Sequence, residues 1–308
     1  MRAERGNLVQ HKKPKDRRVA ALLHDQKNSL MTNNKFILNF TPTGLIPTKE
    51  MTPHVPTTAA EIVEQVLDVA DLGVNMVHLH AREADTGRPT YKKDVYAEII
   101  QGIRAKNKDL LLGVSTSGRE FFKFDNRSEC LELDGDLKPD FASLTLSSLN
   151  FNRQVSVNSP QMIKDLAEKM MEHNIRPEFE VFDLGMINYA KYLIRKGFFT
   201  PPYYFNLILG NIACAQANVL HLGLMIKELP DGSFWSVGAV GDSQLKMNIM
   251  AMLSGGGVRV GLEDNIWFDN DRTKLATNRE LIERTVSIAQ VLGYKPYTPM
   301  ELRNLLKL

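Results

Sequence analysis

From residue 35 onward, short apolar runs alternate eight times with amphipathic stretches. In residues 58–72, for example, Ile62, Val66 and Val69 recur at the spacing of one helix face, and Gly73 follows as a terminator. Strands that alternate with helices pair in parallel, because the long connection between two parallel strands usually contains a helix. Eight strand–helix units within residues 34–308 therefore predict a (β/α)8 TIM barrel, a fold of about 250 residues.

The alternative fold is a doubly wound open sheet, which carries a glycine-rich phosphate loop after its first strand. Here the loop after the first apolar run is rich in Pro and Thr instead. The three glycines at 255–257 precede the eighth apolar run and are interpreted as a turn that ends a helix. Both observations favour the barrel.

Residues 1–33 differ from the rest of the chain in charge. The first thirty residues carry eight Lys and Arg against three acidic residues, and they lack the long apolar segment of a signal peptide. We interpret residues 1–33 as a basic, disordered extension or as the product of an over-extended start codon. The catalytic domain is expected to span residues 34–308.

Composition narrows the class of protein. The formal net charge is +2, and no basic stripe with interleaved aromatic residues suggests nucleic-acid binding. Cys130 and Cys214 are far apart and lack a metal-ligand or redox spacing, which argues against a disulfide framework. No apolar run approaches the ~20 residues that span a bilayer. The sequence predicts a cytoplasmic protein that binds neither nucleic acid nor membrane.

The most unusual apolar run covers residues 74–82 and has a polar face. Read as a strand, it places His78, His80 and Arg82 on one side and aliphatic residues on the other. Two histidines at i and i+2 can present ring nitrogens to one ion, and neutral imidazole is a good ligand for Zn²⁺. The alternative interpretation is a pair of hydrogen-bonded core histidines.

Other runs also end in polar groups, at the barrel end where TIM-barrel enzymes carry their active sites. The third to fifth runs offer Ser115, Ser143, Glu180 and Asp183, and the eighth separates Arg259, Gly261 and Glu263 from aliphatic neighbours. His78, His80 and Glu263 would form a two-His, one-carboxylate site with open positions, suited to Zn²⁺ or a similar divalent metal. A plain ion pair between Arg259 and Glu263 is the simpler alternative.

Four motifs together resemble the β-keto acid cleavage enzyme family, in the order in which that family carries them. They begin at His78, Ser115, Phe179 and Gly256 and read HLHAR, STSG, FEVFDLGMI and GGVRVGLEDN. The resemblance extends from about Lys35 to the end of the sequence. It implies a TIM barrel, a homotetramer, and zinc bound by His78, His80 and Glu263.

The resemblance also implies a reaction and roles for individual residues. The reaction is a Claisen and retro-Claisen acyl transfer, in which a β-keto acid and acetyl-CoA give acetoacetate and a new acyl-CoA. By the same match, Asp264 is the general base and Arg259 steers it. Ser115 and Ser143 hydrogen-bond the reacting oxygens, and Glu180 lies in the polar surroundings of the substrate. Arg82 has no catalytic role in this match and is interpreted as structural.

One loop position departs from the family's 3-keto-5-aminohexanoate cleavage enzyme, which acts in lysine fermentation. That enzyme meets the ammonium group of its substrate with an acidic residue, and the aligned position here is Ile46. Ser143 also stands where that enzyme has Thr, which keeps the hydroxyl. We therefore expect Ile46 to face the tail of a β-keto acid other than the cationic amino-keto acid, with a less polar or differently charged tail.

Two other enzyme classes could use a similar set of residues. Metal-dependent hydrolases of the amidohydrolase type also use His-x-His, but on the first strand and with further histidines from strands five and six. Here the pair lies on the second strand, and runs five and six carry Glu180 and Asn206. A metal-dependent aldolase would cleave a keto acid without CoA, so CoA dependence distinguishes it.

Overall fold

Eight parallel strands close into a barrel, as the alternation of runs predicted. A computed structural model describes residues 34–308, and the proposed N-terminal extension lies outside these described residues. Every neighbouring pair of barrel strands is parallel. The second barrel strand, for example, pairs with the first strand on one side and with the third on the other. The predicted TIM barrel is therefore confirmed.

The barrel strands follow the chain order around the barrel. They are β1 (Leu38–Phe40), β2 (Met76–Leu79), β3 (Leu111–Val114), β4 (Phe141–Thr145), β5 (Arg176–Val181), β6 (Tyr203–Leu209), β7 (Ser233–Ala239) and β8 (Gly257–Val260). The helices are α1 (Ala59–Ala70), α2 (Lys93–Arg104), α3 (Phe124–Ser128), α4 (Pro160–Glu172), α5 (Leu184–Arg195), α6 (Val219–Glu228), α7 (Gln244–Leu253), α8 (Asn278–Val291) and α9 (Pro299–Leu306). Among residues 34–308, no helix is both long and apolar enough to cross a membrane.

Local sequence explains where several helices begin. Thr58 caps α1 by accepting a hydrogen bond from the backbone of Glu61, whose carboxylate accepts one from the Thr58 backbone in return. Thr277 and Glu280 form the same reciprocal cap on α8. Each cap satisfies backbone donors that the first helical turn leaves without partners. These caps fix the helix starts within a residue or two of the predicted ones.

The structure differs from the sequence pattern at both ends of the described chain. The apolar run at residues 36–40 suggests one continuous strand, but Ile37 interrupts it. Lys35–Phe36 pairs in parallel with Lys295–Pro296, outside the barrel, and only Leu38–Phe40 joins the barrel sheet. Eight strand–helix units account for the helices as far as α8, so the pattern does not predict α9. Its eight residues start at Pro299 with a Thr298 cap, a pattern too short to stand out by periodicity.

The barrel has two apolar regions and a polar centre. A large cluster fills the space between the strands and the surrounding helices. A second cluster closes the amino-terminal end of the barrel, which we call the floor, where Leu302 and Leu306 of α9 pack with side chains from the strand starts. The floor consists of Ile37, Met76, Leu111, Phe141, Tyr204, Tyr297, Leu302 and Leu306. The carboxyl ends of the strands form the opposite end, which we call the mouth.

Candidate active site

Three residues from distant parts of the chain meet at the mouth. His78 Nε2 and His80 Nε2 lie 3.2 Å apart, and His80 Nε2 lies 3.2 Å from Glu263 Oε1. One ligand atom of each residue falls within 4.8 Å of the other two. Both histidines are buried. The structure thus brings together the three residues that the sequence suggested as a metal site.

Close backbone packing makes room for Glu263. Gly44 has φ +67°, and a Cβ there would lie 2.4 Å from Glu263 Cγ. Gly261, two residues before Glu263, has φ +158°, and a Cβ there would lie 2.1 Å from the Thr41 carbonyl oxygen. A side chain at either glycine would therefore displace Glu263 or the loop that supports it.

A buried polar network below the mouth orients His78. Glu178 Oε2 lies 2.6 Å from His78 Nδ1, so Nδ1 donates to the carboxylate and Nε2 is left facing His80. Asn39 and Asn206 donate to the other oxygen of Glu178, and Tyr204 lies between these amides. Burial alone would lower the pKa of His78, but the carboxylates of Glu178 and Glu263 raise it to about 9.

Arg259 is the central cation of the mouth and contacts three carboxylates. Its Nη2 donates to Glu263 Oε1 at 2.7 Å, its Nε donates to Asp264 Oδ2 at 2.9 Å, and its Nη1 lies 3.8 Å from Glu180 Oε1. Burial alone would raise the pKa of Glu263, but the charge of Arg259 and the hydrogen bond with His80 hold it well below its usual value. Glu263 is therefore ionised and available as a ligand.

Asp264 and Glu180 titrate differently from Glu263. Burial raises the pKa of Asp264, and Arg259 opposes this only in part. Burial likewise raises the pKa of Glu180, whose Oε2 accepts a hydrogen bond of 2.8 Å from Thr145. Asp264 is thus a stronger proton acceptor than a solvated carboxylate, and Arg259 fixes its position.

The two predicted serines lie on neighbouring parts of the barrel, since Ser115 directly follows β3 and Ser143 lies on β4. Ser143 Oγ accepts a hydrogen bond of 3.1 Å from the Thr116 backbone and is buried. Ser115 and His80 line the same small cavity, together with Leu45 of the first loop. Ile46 follows Leu45 and is 40% exposed, so its side chain lies at the surface rather than in the core.

Arg82 and Asp183 have structural roles in the structure. Arg82 donates to Thr43 Oγ1 and to the carbonyls of Gly44, Pro47 and Gly87, so it holds the first loop in place. Its interpretation as a structural residue agrees with these contacts. Asp183, first grouped with the polar strand ends, caps α5 by accepting a hydrogen bond from the Met186 backbone.

Sequence reasoning missed Glu178 and Thr145. Glu178 lies two residues before Glu180 on β5, and Thr145 lies two residues after Ser143 on β4. The period of two that singled out His78 and His80 also puts these residues on the inward face. The period of two thus indicates that both side chains point inward. It does not reveal that Glu178 contacts His78 or that Thr145 contacts Glu180, because these partners lie 100 and 35 residues away in the chain.

The donor set fits a divalent transition metal. Two imidazole nitrogens and one carboxylate suit zinc, whose tetrahedral ligand atoms at ~2.0–2.1 Å would lie about 3.3 Å apart. Two of the three separations, from His80 Nε2 to His78 Nε2 and to Glu263 Oε1, are 3.2 Å and close to this value. Glu263 Oε2 is buried and has no hydrogen-bond partner among residues 34–308, which an ion would relieve. Glu178 supplies the outer carboxylate that metal-binding histidines usually have.

Fold and site together define a barrel enzyme with a two-His, one-carboxylate centre beside an Arg–Asp pair. A sequence model of the beta-keto acid cleavage enzyme family matches residues 35–308. The chain belongs to this family, and the resemblance read from the four motifs is confirmed.

Two curated relatives and one solved structure illustrate the similarity. The 3-keto-5-aminohexanoate cleavage enzyme of Fusobacterium nucleatum is 36% identical over 275 residues, 89% of this chain and 98% of that enzyme. The 3-oxoadipate:acetyl-CoA acetyltransferase of Cupriavidus necator is 31% identical over 275 residues, 88% of this chain and 94% of that enzyme. Apo ObcA superposes with a TM-score of 0.72 at 20% identity, over 83% of this chain and 66% of that one, and supports the barrel fold alone.

Proposed function

We propose that the domain at 34–308 converts a β-keto acid and acetyl-CoA into acetoacetate and a new acyl-CoA. C2 of the keto acid loses a proton and bonds to the acetyl carbonyl carbon, and the CoA thiolate leaves. The thiolate then attacks C3, the C2–C3 bond breaks, and C2 recovers the proton. The relatives named above, one of which acts with acetyl-CoA, support this reaction.

His78, His80 and Glu263 would hold a divalent ion, and we propose Zn²⁺. Bound there, the ion would polarise the carboxylate and keto oxygens of the substrate and acidify its C2–H bond. Glu178 fixes the His78 tautomer, so that Nε2 faces the ion site. Arg259 keeps Glu263 ionised and oriented through a hydrogen bond of 2.7 Å.

Asp264 is proposed to take the C2 proton and to return it at the end of the reaction. Burial makes it a better base, and two contacts from Arg259 hold its carboxylate still. The hydroxyls of Ser115 and Ser143 are proposed to donate to the reacting oxygens, and Glu180 to border the substrate. Ile46 cannot pair with an ammonium group, which argues against a cationic substrate tail.

The single observation that carries this proposal is the convergence of His78, His80 and Glu263 beside the Arg259–Asp264 pair. An isotope experiment tests it directly. Incubating the metal-loaded protein with a β-keto acid and acetyl-CoA labelled with ¹³C in the acetyl group should give acetoacetate labelled at C3 and C4. The unlabelled acyl group of the keto acid should appear on CoA, and both products can be measured by mass spectrometry.

The same experiment separates the competing enzyme classes. A hydrolase or an aldolase would consume the keto acid without acetyl-CoA and would give no labelled acetoacetate. Either result, in protein of verified metal content, would contradict the proposal. The Asp264→Asn variant is the matched control, because it keeps the ion site and removes the proposed base.

We further propose a homotetramer in the cytoplasm. Ile212 and three residues of α6, Val219, Leu220 and Leu224, expose more than two fifths of their surface, which suits a subunit contact. Two free thiols, Cys130 and Cys214, suit a reducing compartment. Light scattering of the wild type and of Leu220→Asp tests the assembly, and an unchanged mass would contradict this contact.

A further inference from the structure

One arginine at the mouth has no assignment in the mechanism. Arg119 lies four residues beyond Ser115, in the loop that follows β3, and is half-buried. Among residues 34–308, no carboxylate oxygen comes within 4 Å of its nitrogens, whereas Arg259 contacts three carboxylates. A half-buried guanidinium without an anionic partner at the mouth of an enzyme is a candidate receptor for a substrate anion.

The guanidinium of Arg119 is held in one orientation. Its Cζ lies 3.8 Å from the ring centre of Phe151, so the planar group stacks on the aromatic face. With the Gln154 amide oxygen turned toward it, that oxygen lies 2.8 Å from Nε and 3.3 Å from Nη2 of Arg119. Gln154 thus accepts from one edge of the guanidinium, and the edge formed by Nη1 and Nη2 is left for a bidentate anion.

The supporting loop is also rigid, which lowers the entropic cost of binding at Arg119. Arg127 donates to the carbonyls of Thr116 and Val157 and to the side chain of Asn158, and so joins the β3 loop to residues 149–157. The Val157 backbone donates to the Gly118 carbonyl at 3.0 Å. Arg119 therefore follows a segment fixed on both sides.

Arg119 is within electrostatic reach of the metal-ligand cluster. Phe151 packs edge-on against Phe182, with ring centres 5.8 Å apart, and Phe182 lies two residues beyond Glu180. Partial burial lowers the pKa of Arg119, and the charges of Glu263, Glu120 and Glu180 partly oppose that shift. A substrate that borders Glu180 would extend its tail along Phe182 and Phe151 toward Arg119.

We propose that Arg119 binds a carboxylate at the far end of the substrate, so that this enzyme acts on β-keto dicarboxylic acids. The proposal rests on the proposed function and specifies the substrate of the same site. It agrees with Ile46, which offers no charge that would repel an anionic tail. The Arg119 fork provides the charge-assisted recognition that Ile46 does not.

Two substrates that differ only at the tail provide the test. 3-Oxoadipate and 3-oxohexanoate have the same six carbons, and the first ends in a carboxylate where the second ends in a methyl group. We expect kcat/KM for 3-oxoadipate to be about 10- to 100-fold higher, the range of a charge-assisted bidentate contact. If neither these acids nor 3-keto-5-aminohexanoate gives labelled acetoacetate, the proposed function fails. If 3-oxohexanoate is turned over equally well, only the assignment of Arg119 fails.

Variants of Arg119 separate binding of the tail from binding of CoA. Arg119→Gln should raise KM for 3-oxoadipate about 10- to 100-fold and leave kcat, KM for acetyl-CoA and KM for 3-oxohexanoate near wild type. Arg119→Lys keeps the charge but loses the fork, and should recover part of the loss. Lys123→Gln removes an exposed positive charge from the same loop, so it is the matched control and should change none of these constants.

Each other outcome overturns the assignment. A rise in KM for acetyl-CoA alone would mean that Arg119 binds a phosphate of CoA. A parallel loss on both keto acids, with a lower melting temperature, would mean that Arg119 only supports the loop through Phe151. No change on either substrate would mean that the guanidinium contacts no ligand.

Discussion

The two ends of the barrel are built from the same strands and differ in almost every physical respect. At the floor, Met76, Leu111 and Phe141 pack against Leu302 and Leu306 of α9. At the mouth, His78, His80 and Arg259 are equally buried, but they are held by carboxylates. On β2 only one residue, Val77, separates Met76 from His78. Mutations at the floor should therefore change stability, and mutations at the mouth should change catalysis.

The largest expected effect is on activity, at the mouth. Asp264→Asn should lower kcat about 10²- to 10⁴-fold, because it removes the proposed general base while keeping a hydrogen-bond acceptor for Arg259. Metal content and melting temperature should stay near wild type. Steady-state kinetics, elemental analysis and calorimetry measure the three quantities. A variant that loses its metal as well would show that Asp264 supports the ion site.

The next effect is on stability, at the floor. Leu302→Ala should lower the free energy of unfolding by about 2–5 kcal/mol, because Leu302 is fully buried and leaves a cavity. Activity per folded molecule should not change. Met300→Ala, on the exposed side of the same helix, is the control and should have little effect. Denaturant titration measures the difference, and a comparable loss of kcat would break the separation of the two ends.

A smaller effect is expected in the polar centre that links the two ends. Glu178→Gln should weaken metal binding about 10- to 100-fold, because a neutral amide is a weaker acceptor for His78 Nδ1 than a carboxylate. Chelator competition measures the affinity. The melting temperature of the metal-free protein distinguishes a local effect from a general one. An unchanged affinity would show that Glu178 serves only the fold.

The smallest effect is expected for charges outside both ends. Glu132 contacts Lys93 and Lys169 at 2.9 Å each but is 42% exposed. Hydrogen bonds from Lys169, the larger contribution, and from Lys93 lower the pKa of Glu132 from 4.5 to about 2. Glu132→Gln should cost about 1 kcal/mol or less. Because folding lowers the pKa of Glu132, its ionised carboxylate stabilises the wild-type fold fully above pH 4.5. This stabilisation is lost as the pH falls toward 2. Unfolding titrations across that range measure the difference, and a constant difference would contradict this cause.

The sequence predicted the mouth much better than the centre or the floor. Strands and metal-site residues stand out because His78, His80 and Glu263 break strongly apolar runs at a period of two. Glu178 breaks its run in the same way, but its role depends on His78, 100 residues earlier. The floor depends on α9, whose eight residues carry too little periodicity to be recognised. Local pattern thus predicts elements, and long-range contacts decide which of their side chains meet.

The floor has a consequence for how the chain is made. The helix α9 follows all eight barrel strands, so a ribosome has synthesised the whole barrel before Leu302 and Leu306 emerge. The strand at Lys35–Phe36 likewise waits for Lys295–Pro296, some 260 residues later. Nascent chains therefore spend most of translation with Met76, Leu111 and Phe141 uncovered, and these are the surfaces that chaperones would meet first.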